Sequence, residues 1–449
     1  MSLPDVIEIV PPQRPAPALV TIPGSKSITN RALVLAALAD GHTTLHGALW
    51  SEDTEIMVAA LRMLGFDIEV SADASEPGNC TIALMGLGGR IPRAGSAAAP
   101  LEIYVGNAGT VARFLLPLLC LGHGVYRMKG TPRMHQRPQS ALIDALRQLG
   151  YRIEAQDGRL PATVVGESAS MTRRCSVGIE ESSQFASALL LSSGIGGWDV
   201  EVTGEDAEES AYVAMTSKLI EAFPAHGGDY WIEPDCSSAS YFLAAGALLP
   251  ETQLQINAWP ESDWQIDARF VEFLRRFETR DGHNLNTPVP KDERGPAEAS
   301  SFYPDVSRIH DLGDAIMTAI VVAPLMPRPS RFVDLGRLRV QESERAVALR
   351  TELTKCGARV VEQQDTLQVF PSQLHGAEID TYDDHRIAMC FATLGLAVPG
   401  MRIREPNCVK KTFPNFFAKI AEAAPAGLGA TILDAATKRP LSGDELLAD

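Results

Sequence analysis

An α/β protein of two domains, assembled from six divergent copies of one unit with three copies in each domain, is the fold this sequence predicts. Three observations predict it. The chain has 449 residues, more than one hydrophobic core ordinarily organises. Six polar turns each run into a short, apolar, buried-looking helix. Most of these are followed by a second, more charged amphipathic helix that stops at glycine before a strand-like run.

Taken in order, residues 5–10 alternate like a strand, and Pro11, Pro12, Pro15 and Pro17 mark a connector. The first turn, Pro23-Gly24-Ser25-Lys26-Ser27-Ile28-Thr29-Asn30-Arg31, enters the apolar stretch 32–38. Ser25 or Ser27 is placed to cap that helix, and Lys26 and Arg31 stand near its positive end, where an anion is favoured. The second turn, Asn107-Ala108-Gly109-Thr110-Val111-Ala112-Arg113, leads into 114–119, and Ser182-Ser183-Gln184-Phe185 leads into 188–191. Asp235-Cys236-Ser237-Ser238 precedes 241–245, Asp311-Leu312-Gly313-Asp314 precedes 315–320, and Tyr382-Asp383-Asp384-His385-Arg386 precedes 387–392. The amphipathic helices read at 54–64, 140–149 and 344–353 end before Gly65, Gly150 and Gly357, each followed by a strand-like run. Two regions read otherwise: 287–303 as a loop, and the tail after Pro425 as a short helix or disorder.

Composition narrows the function. A hydrophobic content of 45% with 21% charged residues describes a globular protein, and no apolar run is long enough to span a bilayer. No basic and apolar leader precedes the first strand, so export is not indicated. The formal charge of −16 excludes general nucleic-acid binding but leaves room for small anions at a local cluster of Lys and Arg. Seven cysteines without a C-x-x-C pair, and nine scattered histidines, suit a reduced cytosolic protein with neither disulfides nor a metal site. The turn Gly24-Ser25-Lys26-Ser27 lacks the spacing of a nucleotide-binding P-loop.

Six motifs in order carry a resemblance: Pro23-Gly24-Ser25-Lys26-Ser27, Gly106-Asn107-Ala108-Gly109-Thr110, Pro132-Arg133-Met134, Ser182-Ser183-Gln184-Phe185, Asp384-His385-Arg386 and Lys411-Thr412-Phe413-Pro414. Each is weak alone; together they resemble the 5-enolpyruvylshikimate-3-phosphate synthases, from Pro23 to about Pro414. The resemblance implies the enolpyruvyl transferase fold, a two-domain inside-out α/β barrel of six βαβαββ units, with inner-helix N-termini facing an interdomain cleft. The chain would cross near Ile22 and Pro234, so that 22–234 form one domain and 1–21 with 235–449 the other. It implies transfer of the enolpyruvyl group of phosphoenolpyruvate to the 5-hydroxyl of shikimate 3-phosphate, with release of phosphate. Neither metal nor organic cofactor is implied. The partners are two small anionic substrates, not nucleic acid or membrane, and the protein would be a cytoplasmic monomer.

The same resemblance distributes roles. Lys26 lies near both substrates, Asp314 beside the 5-hydroxyl and Glu342 beside the methylene carbon. Arg345 and Arg386 take the phosphoenolpyruvate carboxylate, for which a planar fork is suited. Lys26, Arg133, Gln184 and Lys411 take its phosphate, and Gly109 leaves room on that side for the inhibitor glyphosate. Ser27 and Arg31 hold the shikimate carboxylate; Ser182, Ser183 and Gln184 donate to the 3-phosphate. Tyr212 stacks on that substrate, and Asp314, Arg337 and Gln341 complete its side. Read alone, Asp314 is a helix N-cap, Arg345 an exposed residue of an amphipathic helix, and Glu342 a solvent-facing acid whose use as an acid requires partial burial. Four positions depart from the family pattern: Gln341 for Lys, Glu209 ahead of Tyr212, Arg337 for Asn, and Phe114 for Pro. Three of these lie on the sugar-acid side and raise a paralogue with another acceptor as the alternative. The sister transferase acting on UDP-N-acetylglucosamine is disfavoured because Lys26 is followed by Ser27 and no Cys lies between Cys80 and Cys120. A repeat-built binding scaffold without activity is the non-enzyme reading.

Overall fold

In a computed structural model the described residues are 3–166, 173–204, 210–275 and 302–448. The chain forms two compact units, one of residues 23–233 and one joining 1–22 to 234–449. Each described unit contains two four-stranded sheets and one two-stranded parallel sheet.

All four larger sheets follow one pattern: an edge strand parallel to its neighbour, then two antiparallel pairings. In residues 23–233 this holds for Gly228–Trp231, Asp40–Leu49, Asn79–Leu87 and Ile68–Ala72. It holds again for Leu101–Tyr104, Gly124–Lys129, Ala162–Gly166 and Arg152–Ala155. In the other unit the strands are Val306–Ser307, Ser330–Val333, Thr366–Phe370 and Arg359–Gln363. The fourth set runs Glu378–Ile379, Met401–Arg404, Val6–Val10 and Thr431–Asp434. Here the third strand comes from the start of the chain. The tail after Pro425 therefore contains a strand, not a lone helix or disorder: Ile432 is opposite Ile9, and both are buried.

The six apolar stretches are helices, and each polar turn lies at an N-terminus. Lys26–Leu38, Gly109–Cys120 and Gln184–Gly196 pack on one another in one unit; Cys236–Leu248, Ile316–Val322 and His385–Gly395 do so in the other. Every residue of Gly109–Cys120 and of His385–Gly395 is buried, as a helix apolar on all sides requires. Polar side chains stitch both triplets. Asn30 Nδ2 donates to Thr110 Oγ1 at 2.9 Å, and Ser240 Oγ meets Thr318 Oγ1 at 2.8 Å. Outer helices Glu52–Met63, Ser140–Gln148 and Arg345–Lys355 are followed by Gly65, Gly150 and Gly357, each with φ near +90°, the left-handed geometry that glycine tolerates best. The 287–303 loop reading falls, apart from Phe302 and Tyr303, outside the described residues.

Candidate active site

In residues 23–233 the first turn is shaped by close backbone approach. A Cβ on Gly24 would lie 2.0 Å from the Gly47 carbonyl oxygen, and the Gly24 N–H donates to Asn79 Oδ1 at 2.8 Å. Ser25 is the N-cap residue, but its side chain makes no cap hydrogen bond, and Thr29 N–H goes to the Ser25 carbonyl. The expected Ser side-chain cap is thus absent, leaving the helix end to its backbone donors. Lys26, the first helical residue, points Nζ at Asp53 Oδ2, 3.3 Å away on the next helix. Ser27 is half-buried and offers its carbonyl to Arg31.

Arg31 is 2% exposed and held wholly by neutral acceptors in its hydrogen bonds. Its Nε donates to Thr216 Oγ1 at 2.8 Å, Nη1 to Ser27 O at 2.8 Å and Nη2 to Ser187 Oγ at 3.2 Å. Its guanidinium lies 5.0 Å from the centre of the Phe114 ring, so the Pro-to-Phe departure supplies a cation–π floor. Burial lowers Arg31 to about 10, still a cation at neutral pH. At the second turn a Cβ on Gly109 would meet Arg137 Nη2 at 2.5 Å and Arg113 Nη1 at 2.7 Å. Arg113 donates to the carbonyls of Gly109 and Pro138, and Arg137 to that of Asn107. Burial, reinforced by the like charge of Arg137, holds Arg113 well below the usual arginine range. These two guanidiniums, missed in the sequence, turn the carbonyls of Asn107 and Gly109 toward themselves.

Arg133 is half-buried on the short helix Pro132–Gln136, with Nη1 3.3 Å from Gln136 Oε1. At the third turn Ser183 is the N-cap residue, Ser182 Oγ accepts from Gln184 N–H at 3.2 Å, and Gln184 Oε1 is buried without a hydrogen-bond partner. Tyr212 follows on Ala211–Ala222, its carbonyl accepting from Thr216 Oγ1. Glu209 lies outside the described residues.

The second unit gathers acids with its cations. Asp314 lies in the turn Gly313–Ala315 and receives Arg308 Nη2 at 2.8 Å and Arg386 Nη2 at 3.2 Å. It does not cap the helix with its side chain: the Ala315 N–H goes instead to Asp267 Oδ1 at 2.8 Å, which also accepts from Ser237 Oγ at 2.6 Å. Burial pushes Asp314 up, but Arg386, Arg308 and Arg345 outweigh it and hold the carboxyl well below its ordinary range. Asp267 goes the other way, raised to about 6 by burial and by the charge of Asp314.

The Glu342 side chain is 9% exposed, not solvent-facing. His385 Nδ1 lies 2.8 Å from its Oε2, Arg345 Nη2 3.3 Å from Oε2 and Lys411 Nζ 3.5 Å from Oε1. The burial that an acid role requires is present, yet burial loses to His385, Lys411 and Arg345, and the carboxyl sits well below its ordinary range. Arg345, read alone as exposed, is 2% exposed and grips Asp384 through Nε at 2.7 Å and Nη2 at 3.0 Å. Its Nη1 also bonds Gln341 Oε1. A lysine at 341 would set a like charge there, so this departure serves Arg345. Arg337 is half-buried on the turn Gly336–Val340.

Glu342, Asp384 and His385 bring ligand atoms within 4.8 Å of one another, the one such grouping among the described residues. Their oxygens already receive Arg345 and Lys411, and two fixed cations oppose a metal ion there. The turn before His385 is strained. Tyr382 (φ +56°) and Asp383 (φ +54°) both occupy the left-handed region, at about 1–3 kcal/mol each for non-glycine residues.

This architecture, paired triplets of buried helices whose polar N-terminal turns carry cations, is that of the two-domain α/β enolpyruvyl transferases. An EPSP synthase from Acinetobacter baumannii superposes with a TM-score of 0.67 at 21% identity, covering 95% of this chain and 99% of that one. The enolpyruvyl transferase NikO from Streptomyces tendae gives 0.67 at 16% identity, covering 98% and 100%. At such identities the likeness speaks for the fold. The family model described as EPSP synthase (3-phosphoshikimate 1-carboxyvinyltransferase) matches residues 11–420, and the chain belongs to that family. Relatives named 3-phosphoshikimate 1-carboxyvinyltransferase include that of Trichormus variabilis, 35% identical over 439 residues with 92% of this chain and 98% of the relative covered. That of Opitutus terrae is 37% identical over 453 residues, covering 94% and 98%.

Proposed function

We propose that this protein transfers the enolpyruvyl group of phosphoenolpyruvate to the 5-hydroxyl of shikimate 3-phosphate, releasing phosphate, on the route to chorismate. The observation that carries the reading is the buried cluster of Asp314, Glu342, His385, Arg345, Arg386 and Lys411, in which two acids stand among cations suited to a carboxylate and a phosphate. Near-complete coverage of relatives bearing that name supports this acceptor over another.

The steps balance on these groups. The 5-hydroxyl oxygen adds to C2 of phosphoenolpyruvate, the Asp314 carboxylate taking its proton, while C3 takes a proton from Glu342, with the Lys26 ammonium assigned beside both substrates. The tetrahedral adduct then returns a C3 proton to Glu342 as the C2–O bond to phosphate breaks. In the ligand-free protein Glu342 is a carboxylate, held so by cations. An incoming anion competes for Arg345 and Lys411, which lifts the Glu342 carboxyl toward the acid the addition needs. Arg345 and Arg386 are assigned to the carboxylate of phosphoenolpyruvate; Lys26, Arg133, Gln184 and Lys411 to its phosphate. The steering of the Asn107 and Gly109 carbonyls by Arg113 and Arg137 supports anion recognition at the second turn, since it directs acceptor oxygens toward the guanidiniums. Ser27, Arg31, Ser182, Ser183, Tyr212, Arg337 and Gln341 are assigned to shikimate 3-phosphate.

The expected working form is a 48.3 kDa monomer, read by light scattering. All seven cysteines are free and buried, which suits a reducing cytoplasm. No helix among the described residues is long and apolar enough to cross a membrane. The test is phosphate release with both substrates, together with inhibition by glyphosate that phosphoenolpyruvate relieves. Absence of turnover with shikimate 3-phosphate would overturn the assignment.

A further inference from the structure

Tyr382 presents an oddity. The residue is 44% exposed, yet its hydroxyl donates at 2.6 Å to Glu352 Oε1, on a side chain with no exposure at all. Burying a carboxylate is costly unless its partners repay it. Glu352 has three: the Tyr382 hydroxyl, Asp380 N–H at 3.2 Å and Lys355 Nζ at 2.8 Å, the last also 2.7 Å from Asp380. Two of these belong to the segment that leads into Asp384-His385-Arg386.

Glu352 lies on the helix Arg345–Lys355, seven residues beyond Arg345 and so on the same face, about 10 Å along the axis. At the other end of that face Arg345 forks onto Asp384. One helix thus grips the turn on both flanks, through Glu352 at 380–382 and through Arg345 at 384. Between the grips lie Tyr382 and Asp383, the two consecutive residues in the left-handed region. The Asp384 N–H closes onto Thr381 O at 2.9 Å, and Thr381 Oγ1 donates to Arg404 O.

We propose that Tyr382 and Glu352 form a latch that holds this strained turn, and through it fixes Arg386 and the Arg345–Asp384 pair for the carboxylate of the small anionic substrate. They are positioning residues; neither is assigned to the substrate. The inference rests on the enolpyruvyl-transfer reading for the identity of that anion, and on geometry alone for the latch.

Tyr382→Phe removes one oxygen and keeps the ring. It raises KM for phosphoenolpyruvate about tenfold, the scale of one hydrogen bond to a charged acceptor, and leaves KM for shikimate 3-phosphate unchanged. Adding Asp383→Gly, which relaxes the turn's backbone cost, recovers most of that loss. Glu352→Gln still accepts the tyrosine hydroxyl and keeps a lower KM than Glu352→Ala. An unchanged KM for phosphoenolpyruvate in Tyr382→Phe overturns the latch, as does an equal rise in both KM values or no recovery with glycine. Amide hydrogen exchange decides without turnover: Tyr382→Phe must speed exchange at residues 384–386 and leave the Lys26–Leu38 helix unaltered. A wild-type protein that released no phosphate would remove the enolpyruvyl reading, and the exchange comparison would still uphold or remove the latch.

Discussion

The two units use their arginines differently. In residues 23–233 the buried guanidiniums of Arg31 and Arg113 donate to neutral groups: Arg31 to two hydroxyls and a carbonyl, Arg113 to two carbonyls. Lys26, paired with Asp53, is the exception. In the other unit Arg308, Arg345, Arg386 and Lys411 all face Asp314, Glu342 or Asp384. A cation held by neutral acceptors keeps its whole charge for an incoming anion. A cation held by an acid gives part of it up, and in return sets that acid's protonation. The first arrangement suits charge recognition; the second suits proton transfer, because anion binding is converted into a change of acidity.

Substitutions separate the two. The largest effect belongs to Glu342→Gln, which keeps shape and removes the transferable proton; kcat for phosphate release falls by about a hundredfold or more. An unaltered kcat would remove Glu342 from proton transfer. Next comes Arg31→Lys, which loses the fork onto Thr216 and Ser187 and costs about 2 kcal/mol in urea unfolding. Because those partners do not titrate, the loss is the same near about pH 6 and about pH 8, and a pH-dependent loss would show an acid partner.

Asp267→Asn is smaller and changes with pH. Its carboxyl is raised to about 6, so the native state keeps a proton that the unfolded chain has released. Ionisation therefore costs stability as pH climbs from about 4 to about 6. The hydrogen bonds from Ser237 and from the Ala315 N–H enter Oδ1, which asparagine retains. The variant should match wild type near about pH 4 and exceed it by about 1–2 kcal/mol near about pH 7.5; an equal difference at both would refute the coupling. Asp314, Glu342 and Asp384 have the opposite sign: their depressed carboxyls stabilise above the unfolded range, and that stability is lost on acidification. Smallest is Gly109→Ala. The atoms nearest its Cβ are the ends of two arginine side chains, so thermal stability barely moves while KM for phosphoenolpyruvate rises; a large stability loss would mean that Arg113 and Arg137 cannot shift.

What the sequence displayed was local. Turn–helix–glycine–strand units showed through period and punctuation, and the motif order nominated candidate residues from Lys26 to Lys411. What it concealed was partnership. Asp267 sits 47 positions before Asp314, and Arg31 meets Ser187 and Thr216 far along the chain; packing of helices, not spacing, joins them. The burial of Arg345 and Glu342 was hidden for the same reason, since a charged residue on an amphipathic pattern reads as solvated. The strand in the tail escaped because its partner lies at the opposite end of the sequence.

That strand pairing dictates an order of assembly on the ribosome. Residues 23–233 are contiguous and can finish their own core as soon as they emerge. Val6–Val10, synthesised earlier, pairs with Met401–Arg404 and Thr431–Asp434 and must wait for both. At about 5–20 residues per second the wait is roughly 20–80 s. Through that interval an unpaired apolar strand precedes an already folded neighbour, a nascent chain open to chaperones and to mispairing until its last part is made.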